Sequence, residues 1–243
     1  MSSNFREFIS DLENEGELHR VKVEVDPELE ITEIAIRAQK ENKPALLFEN
    51  VKGSNYPLAI NTFASDKRIE IALGQNPEEI GNELLNFIEA LRPPKIKEIF
   101  KQRKTIKRFM AFPPKKMSNR LPNQVVEKGL DELPILKCWP EDGGKFITLP
   151  LVQTNDPVTN IPNLGMYRLH VYDKKSTGMH MQIGKGGGYH YQEAEKLNNN
   201  LPVAVTIGGD PVLTIASIMA LPEGVGELEF AGLVRKKRTR LSK

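Results

Sequence analysis

Two patterns of apolar residues follow one another in this chain, and the point where the pattern changes constrains its fold most. In the first ninety residues, segments with apolar residues at helical spacing alternate with short apolar runs typical of strands. In chain order these segments are 5–12, 18–25, 31–39, 45–48, 58–60, 69–73 and 80–91. This alternation predicts a small α/β domain over residues 1–92.

Helix and strand boundaries in this domain are predicted from capping residues and alternation. Ser3 is a candidate cap for the first helix, and Ser65 and Gly74 bracket a later one. Within the run 18–25, Val21, Val23 and Val25 alternate with charged residues, which predicts a strand with one buried face.

A basic segment interrupts the pattern at Pro93, and we assign residues 93–122 to a linker. Glu98 is the only acidic residue between Lys95 and Arg120, so a nucleic-acid-binding patch is one interpretation. A linker helix with solvent-facing lysines is favoured, because no interleaved aromatic residues suggest base stacking. We therefore predict no nucleic-acid partner.

From residue 123 to 243 the apolar runs become short and are closely separated by proline and glycine. Short runs with such frequent turn signals predict an antiparallel sheet or barrel. The run 202–207 predicts a buried strand, and Asp210 followed by Pro211 predicts the capped start of a helix.

The stretch 163–188, NLGMYRLHVYDKKSTGMHMQIGKGGG, combines an amide, an arginine, histidines, a lysine and glycines in a short span. Alternation predicts a strand over 166–172, a turn over 173–178 and a returning strand over 179–183. The following GKGGG offers bare backbone amides to an anion, but it lacks the spacing of known phosphate-binding loops. For that loop alone, a solvated turn is the favoured interpretation, with a short helix from Tyr191 after it.

Composition excludes several classes of protein. The 243 residues carry a formal net charge of +2, too small by itself to indicate a nucleic-acid or membrane-surface protein. A single cysteine, Cys138, excludes an internal disulfide and fits a reducing compartment. The sequence shows neither a signal peptide nor a transmembrane run, so we expect a cytoplasmic location.

Several motifs together resemble those of UbiD-type decarboxylases, particularly members attached to quinone biosynthesis. They occur in the family's order and are KCWPEDGGKFITLPLV at 137–152, NLGMYR at 163–168, GMHMQ at 178–182, KGGG at 185–188, PVAVTIGGDP at 202–211 and ELEFAGLVRKKRTR at 227–240. The resemblance implies an α+β fold, with a small α/β amino-terminal domain followed by a split β-barrel flavin-binding domain. The antiparallel barrel would be incomplete here, because the family continues into a carboxy-terminal domain beyond residue 243.

The resemblance also implies a chemistry. UbiD-like enzymes remove or add carbon dioxide on aromatic or α,β-unsaturated acids without net oxidation, using prenylated FMN and a divalent metal. A separate flavin prenyltransferase supplies the cofactor. The expected substrate is an aromatic carboxylic acid such as a prenylated 4-hydroxybenzoate, the expected metal is Mn²⁺, and K⁺ is a candidate companion ion.

Site residues follow from the motifs position by position. Asn163 and Glu227 match metal ligands, whose oxygen donors suit such an ion. Arg168 matches the catalytic arginine that orients the substrate carboxylate, for which a bidentate guanidinium is suited. The positions that match cofactor contacts are Met166, Tyr167, Arg168, His180, Met181, Gln182, Lys185 and Gly186.

Two departures from the family pattern qualify these expectations. Gly184 stands where the family usually has a metal-binding histidine, and the family's proton-donating acids lie in the carboxy-terminal part. A second chain supplying that part is therefore a candidate partner, and a homo-oligomer is expected for a complete enzyme. The alternatives are a catalytically incomplete cofactor-binding or assembly protein and, more remotely, a nucleic-acid-binding module. A separate zinc site formed by His170, His180 and His190 is disfavoured, because these residues need not converge.

Overall fold

The computed structural model describes residues 2–90, 113–117, 129–182, 184, 186–221 and 225–241. Most of the predicted linker 93–122 lies outside these ranges. The predicted domain boundaries, one after residue 92 and one after residue 122, remain predictions.

The amino-terminal part alternates helices and strands as predicted. Its elements are α1 (Phe5–Asn14), β1 (Leu18–Val25), α2 (Glu30–Lys40), β2 (Ala45–Val51), β3 (Leu58–Ile60), α3 (Asp66–Leu73) and α4 (Pro77–Ala90). β2 lies between β1, which is parallel to it, and β3, which is antiparallel. The apolar stripe of α1, including Phe8 and Leu12, packs on the β2 residues Ala45 and Leu47.

Local capping decides where these helices begin and end. Ser65 accepts a hydrogen bond from the Arg68 amide and Gly74 takes a left-handed conformation, which confirms both predicted ends of α3. The prediction for Ser3 is wrong. Helix α1 begins at Phe5, and its cap is Asn4, whose side chain accepts a hydrogen bond from the Glu7 amide.

One face of β1 differs from its prediction. The pairing of β1 with β2 is irregular between Val21 and Glu24. This irregularity interrupts the alternation, and Val23 is left 69% exposed although Val25 is buried.

Within the described residues, the carboxy-terminal part consists of short strands with three α-helices. Its elements are β4 (Lys115–Lys116), a 3₁₀ turn (Leu130–Glu132), β5 (Lys145–Ile147), β6 (Leu151–Asn155), β7 (Pro162–Met166), β8 (Leu169–Val171), β9 (Thr177–Met179), α5 (Gly186–Lys196), β10 (Val203–Thr206), α6 (Pro211–Ala216), α7 (Glu227–Arg235) and β11 (Arg240–Leu241).

The described strands of this part form antiparallel sheets, as predicted, together with one short parallel pair. One sheet has the order β10-β6-β7 and the other the order β5-β8-β9, while β11 pairs with β4. These strands do not close into a barrel within the described residues, so the split barrel remains a prediction.

The predicted strand 166–172 is divided between the two sheets. Met166 ends β7 opposite Leu151, whereas Leu169 begins β8 opposite Ile147. The chain changes sheets at Tyr167 and Arg168, an event that leaves side-chain alternation intact and is therefore invisible in the sequence pattern. The returning strand is also shorter and earlier than predicted, at Thr177–Met179.

Two further predictions need correction. The glycines Gly186 and Gly187 lie in the first turn of α5 rather than in a loop before a helix at Tyr191. Strand β10 is exposed at every position, with Val203 and Val205 each 41% exposed, although the sequence predicted it to be buried. It lies at the edge of its sheet, and burial of an edge strand depends on what covers it.

The two parts share apolar clusters. Leu73 and Ile80 of the amino-terminal part pack with Val212 of α6 and with Phe230 and Val234 of α7. The predicted cap of α6 is confirmed, because Asp210 accepts hydrogen bonds from the amides of Val212 and Leu213. This packing fixes α7, whose first residue belongs to the site described next.

Candidate metal and cofactor site

The two residues matched to metal ligands lie in contact although they are far apart in the chain. Asn163 is in β7, and Glu227 is the first residue of α7. The Nδ2 atom of Asn163 donates to Oε1 of Glu227 at 3.4 Å, and the backbone amide of Leu164 donates to Oε2 at 3.2 Å. Strand and helix thus bring an amide and a carboxylate together.

The carboxylate of Glu227 is held in an environment that disfavours its charge. Burial raises its pKa, and the hydrogen bond from Leu164 only partly opposes this effect. In the described part of the chain, no lysine or arginine forms an ion pair with it. A bound cation would supply the missing positive charge.

Tyr167 links this pair to α5. Its hydroxyl donates to Oδ1 of Asn163 at 3.2 Å and accepts from the backbone amide of Gly187 at 2.9 Å. The residue is only 6% exposed. Burial raises the pKa of its phenol, and the negative charge of Glu227 adds to the increase, so the neutral hydroxyl is favoured.

The first turn of α5 lies directly against these side chains. A Cβ atom added at Gly186 would lie 2.5 Å from Nδ2 of Asn163, and one at Gly187 would lie 2.9 Å from the Tyr167 ring. Only glycine lets this turn approach so closely. The first amides of an α-helix have no partners within the helix and favour anions, so the site combines cation ligands with an anion-attracting helix end.

Arg168 occupies a different environment. Its side chain is exposed, and its guanidinium carbon lies 4.7 Å from the centre of the Phe146 ring. Phe146 in turn stacks on His170 at 4.4 Å. No described hydrogen bond or ion pair joins the guanidinium to Asn163 or Glu227, so the structure does not bring these three side chains into direct contact.

The remaining matched cofactor positions are less closely grouped. Met166 is half-buried at the end of β7, and Gly186 is the residue that contacts Asn163. His180 and Gln182 are exposed after β9, with Met181 half-buried between them, and the His180 amide donates to the Arg168 carbonyl. Lys185 lies outside the described residues.

Gly184 has a backbone reason to be glycine. Its φ is +85°, a conformation that side-chain-bearing residues rarely adopt, and a Cβ there would meet open space. A histidine at this position would therefore be strained but not sterically blocked.

The histidines do not form a metal centre in the described residues. His170 packs between Phe146 and Tyr172, while Nδ1 of the buried His190 is bonded to Thr154 at 2.8 Å. Burial lowers the pKa of His190, so its imidazole is neutral at physiological pH. No group of three His, Cys, Asp or Glu side chains suited to a metal occurs in these parts of the chain.

Sequence reasoning missed two features of the site. One is Phe146, which lies beneath Arg168, and its apolar character predicts only a core residue. The other is the hydrogen bond from Tyr167 to Asn163, because the motif predicts Tyr167 only as a cofactor contact. Gly165 supplies a signal in retrospect, because a Cβ there would collide with the Tyr167 ring.

The donor chemistry of Asn163 and Glu227 fits a hard divalent cation. Both offer oxygen, the ligand atom that Mn²⁺ and Mg²⁺ prefer, and a desolvated carboxylate gains from a cation. The pair leaves further coordination positions for other oxygen donors, such as a phosphate at the start of α5.

Two family descriptions match the sequence. The description "3-octaprenyl-4-hydroxybenzoate carboxy-lyase Rift-related domain" matches residues 115–243, more than half of the chain, and the corresponding "N-terminal domain" matches residues 9–88. The chain belongs to the UbiD family. One relative and one structural neighbour, described next, are named as decarboxylases.

Two relatives show the extent of the match. An uncharacterised protein of Archaeoglobus fulgidus is 46% identical over 241 residues, covering 98% of this UbiD-family chain and 50% of the relative. A protein of Chlamydia pneumoniae, named as one of the subunits of a 4-hydroxybenzoate decarboxylase, is 41% identical over 231 residues, covering 94% and 39%. The chain therefore spans about half the length, or less, of these relatives.

Solved UbiD-class structures share the fold. Vanillic acid decarboxylase of Sedimentibacter hydroxybenzoicus (ShVdcCD), in its closed form, has a TM-score of 0.77 at 26% identity and matches 100% of this chain and 51% of its own. The UbiD-class enzyme HmfF of Pelotomaculum thermopropionicum, in complex with FMN, has a TM-score of 0.76 at 25% identity, covering 99% and 50%. Separately, no helix in the described ranges is long and apolar enough to cross a membrane.

Proposed function

We propose that this chain is the cofactor-binding part of a UbiD-type non-oxidative decarboxylase that acts on an aromatic acid. The observation that carries the proposal is the contact between Asn163 and Glu227, 64 residues apart, beside the first turn of α5. Family membership supplies the reaction class. In this proposal, Asn163 and Glu227 would hold a divalent cation next to a phosphate-bearing flavin.

The proposed cofactor is prenylated FMN with Mn²⁺, and K⁺ is a candidate companion ion. Asn163 and Glu227 would hold the metal, and the first-turn amides of α5 other than that of Gly187 would face the cofactor phosphate. Bound prenylated FMN would supply an electron-accepting ring, which allows carbon dioxide to leave without net oxidation. A flavin prenyltransferase would provide the cofactor.

Arg168 is the proposed substrate-binding residue. Its guanidinium is exposed and rests on the Phe146 ring, which supports its planar group, and no hydrogen bond to another described residue occupies its donors. A bidentate contact would fix the orientation of the scissile bond. An aromatic acid such as a prenylated 4-hydroxybenzoate is the proposed substrate.

Protonation of the product requires an acid that we place in a second polypeptide segment. The structural neighbour ShVdcCD and the relative named as a decarboxylase subunit support a multi-chain assembly. Gly184, at the position where the family usually has a metal-binding histidine, is the observation that favours the alternative, a cofactor-binding or assembly protein without turnover of its own.

To test this function, the chain is combined with the second half of a relative, and the wild type is compared with Arg168→Ala. The chain, reconstituted with prenylated FMN and Mn²⁺, is expected to release carbon dioxide from hydroxylated benzoic acids. Arg168→Ala should lower kcat/KM by roughly 10²–10³-fold, as when one preorganised charge-stabilising donor is removed. Flavin absorbance should remain with the protein. Arg37→Ala, which removes an exposed arginine paired with Glu33, is the matched control.

Each outcome has a distinct meaning. Loss of the flavin from Arg168→Ala would show that the arginine binds the cofactor rather than the substrate. Uptake of cofactor and metal by the assembled wild type without turnover of any aromatic acid would favour the non-catalytic alternative.

A further inference from the structure

Tyr167 is packed in a slot that two glycines create. A Cβ atom on Gly187 would approach three atoms of its phenol group at 2.9–3.0 Å, and one on Gly165 would collide with the same atoms. Gly165 lies before Tyr167 in the chain, whereas Gly187 lies in α5. Both segments therefore have glycine at the position where a side chain would clash with the buried phenol.

The hydroxyl of Tyr167 has a defined hydrogen-bond direction. The backbone amide of Gly187 can only donate, so the phenol oxygen accepts this bond. The single hydroxyl hydrogen is then directed to Oδ1 of Asn163 at 3.2 Å. This arrangement specifies which end of the Asn163 amide faces the tyrosine.

The opposite end of the same amide is fixed by Glu227. An ionised carboxylate only accepts hydrogen bonds, so the NH₂ group of Asn163 faces Glu227 Oε1, at 3.4 Å. The bonds form one directional series from Gly187 through Tyr167 and Asn163 to Glu227. An amide turned by 180° would place NH₂ against the tyrosine hydroxyl and oxygen against the carboxylate, and would lose both contacts.

We propose that Tyr167 is a positioning residue of the metal site, which orients the amide oxygen of Asn163 and connects it to the first turn of α5. This inference rests on the proposed function of Asn163 and Glu227 as metal ligands. The amide oxygen has two lone pairs, so it can accept the tyrosine's bond while it binds a cation. Hydrogen bonds to metal ligands of this kind orient the donor atom and strengthen its binding.

Tyr167 also connects the proposed metal site to the first turn of α5, where an anion would bind. Because the Gly187 amide and the Asn163 oxygen share one hydroxyl, the position of α5 and the orientation of the ligand are coupled. This positioning role would come in addition to the cofactor contact expected from the motif of Tyr167.

A titration of the full chain with Mn²⁺ alone tests the proposal. Tyr167→Phe keeps the ring in its slot and removes only the hydroxyl. We expect its Mn²⁺ affinity to fall roughly 10-fold, the lower end of the range for lost hydrogen bonds to metal ligands. Tyr172→Phe, at a 65% exposed tyrosine of the neighbouring hairpin, should match the wild type.

A second background separates positioning from general stability. In Asn163→Asp the ligand presents oxygen in either orientation, so removal of the Tyr167 hydroxyl should cost much less affinity there than beside asparagine. A merely structural role would lower the melting temperature of Tyr167→Phe equally in both backgrounds, without this difference in Mn²⁺ affinity.

The outcomes distinguish this inference from the proposed function. Equal Mn²⁺ affinities for the wild type and Tyr167→Phe would overturn the positioning role and leave the metal site standing. Failure of the wild type itself to bind Mn²⁺ would overturn the metal site, and the positioning role with it.

Discussion

Glu227 shows how a single residue can be unfavourable for the stability of the fold and still suit the role proposed for it. Its burial raises the pKa, so the folded chain holds the proton more strongly than the unfolded chain. The stability gained from this difference is complete below the ordinary pKa of glutamate and is lost as the pH rises through the folded pKa. At neutral pH the metal-free chain therefore carries a desolvated charge.

Glu227→Gln removes that charge and gives two opposite expectations. Without metal, the variant should gain stability relative to the wild type as the pH rises from 5 to 8. With Mn²⁺ at about 100 times its dissociation constant, the wild type should gain about 2.7 kcal/mol, and the variant should lose most of that gain. Urea unfolding at several pH values, with and without Mn²⁺, measures both effects.

The control for this residue is Glu229→Gln, in the first turn of the same helix. This substitution should change the pH dependence of stability and the stabilisation by Mn²⁺ much less than Glu227→Gln does. A constant difference between Glu227→Gln and the wild type at all pH values would contradict the desolvation argument.

At the scale of elements, α5 owes its position to two residues without side chains. Alanine is normally the better helix former, by up to about 1 kcal/mol relative to glycine. A Cβ atom at Gly187 would clash with the Tyr167 ring, whereas a Cβ atom at Gly81 in α4 would have nothing within 4 Å. The same substitution should thus have opposite effects in the two helices.

Gly81→Ala should raise the free energy of unfolding by up to about 1 kcal/mol, following helix propensity. Gly187→Ala should lower it by about 1–3 kcal/mol, the usual cost of overpacking a close contact. Chemical denaturation of both variants measures the two changes. A gain in stability at Gly187 would show that the slot for Tyr167 is wider than the structure indicates.

Elements were predictable from sequence where local chemistry determines them. The limits of β1, the caps Ser65 and Asp210, and the order of helices and strands follow from spacing and capping. The change of sheets at Tyr167 was not predictable in this way, because the side chains alternate in the same manner before and after it. The start of α5 at Gly186 was also unexpected, since glycine is a poor helix former and its place depends on contacts with Asn163.

The candidate site was predictable only in part. Local patterns identified the unusual composition of 163–188, but no periodicity relates Asn163 to Glu227. That pairing came from the resemblance of two separate motifs, and the contact between the side chains depends on how α7 packs on β7. The role of each residue in binding remains a prediction that the proposed titrations address.

At the scale of the whole molecule, β10 is exposed at each of its four positions among the described residues. Val203 and Val205 are each 41% exposed, and Ile207 is 50% exposed. By alternation the other face carries Ala204 and Thr206, which line a cavity of about 210 Å³ together with leucines of β6, β7 and α7. An apolar edge strand beside a cavity is suited to strand addition by another segment.

Relatives about twice as long as this chain indicate what that segment is. The chain covers 50% of the Archaeoglobus fulgidus relative, and the other half of that relative lies outside the match. We therefore expect the second half of such a relative, supplied as a separate polypeptide, to bind this chain along β10. Binding would cover the exposed valines of β10.

Val205→Lys tests this expectation by placing a charge in the middle of the strand. Because Val205 is already exposed, the isolated variant should fold as the wild type does, as judged by circular dichroism. Its affinity for the second half of the Archaeoglobus fulgidus relative should fall at least about tenfold, as for a central interface residue that costs more than 1 kcal/mol. Val23→Lys, at a 69% exposed valine of β1, is the matched control and should bind normally. Equal binding by the two variants in size-exclusion chromatography would place the second half elsewhere on the molecule, and failure of the wild type to bind would remove the basis for a two-chain enzyme.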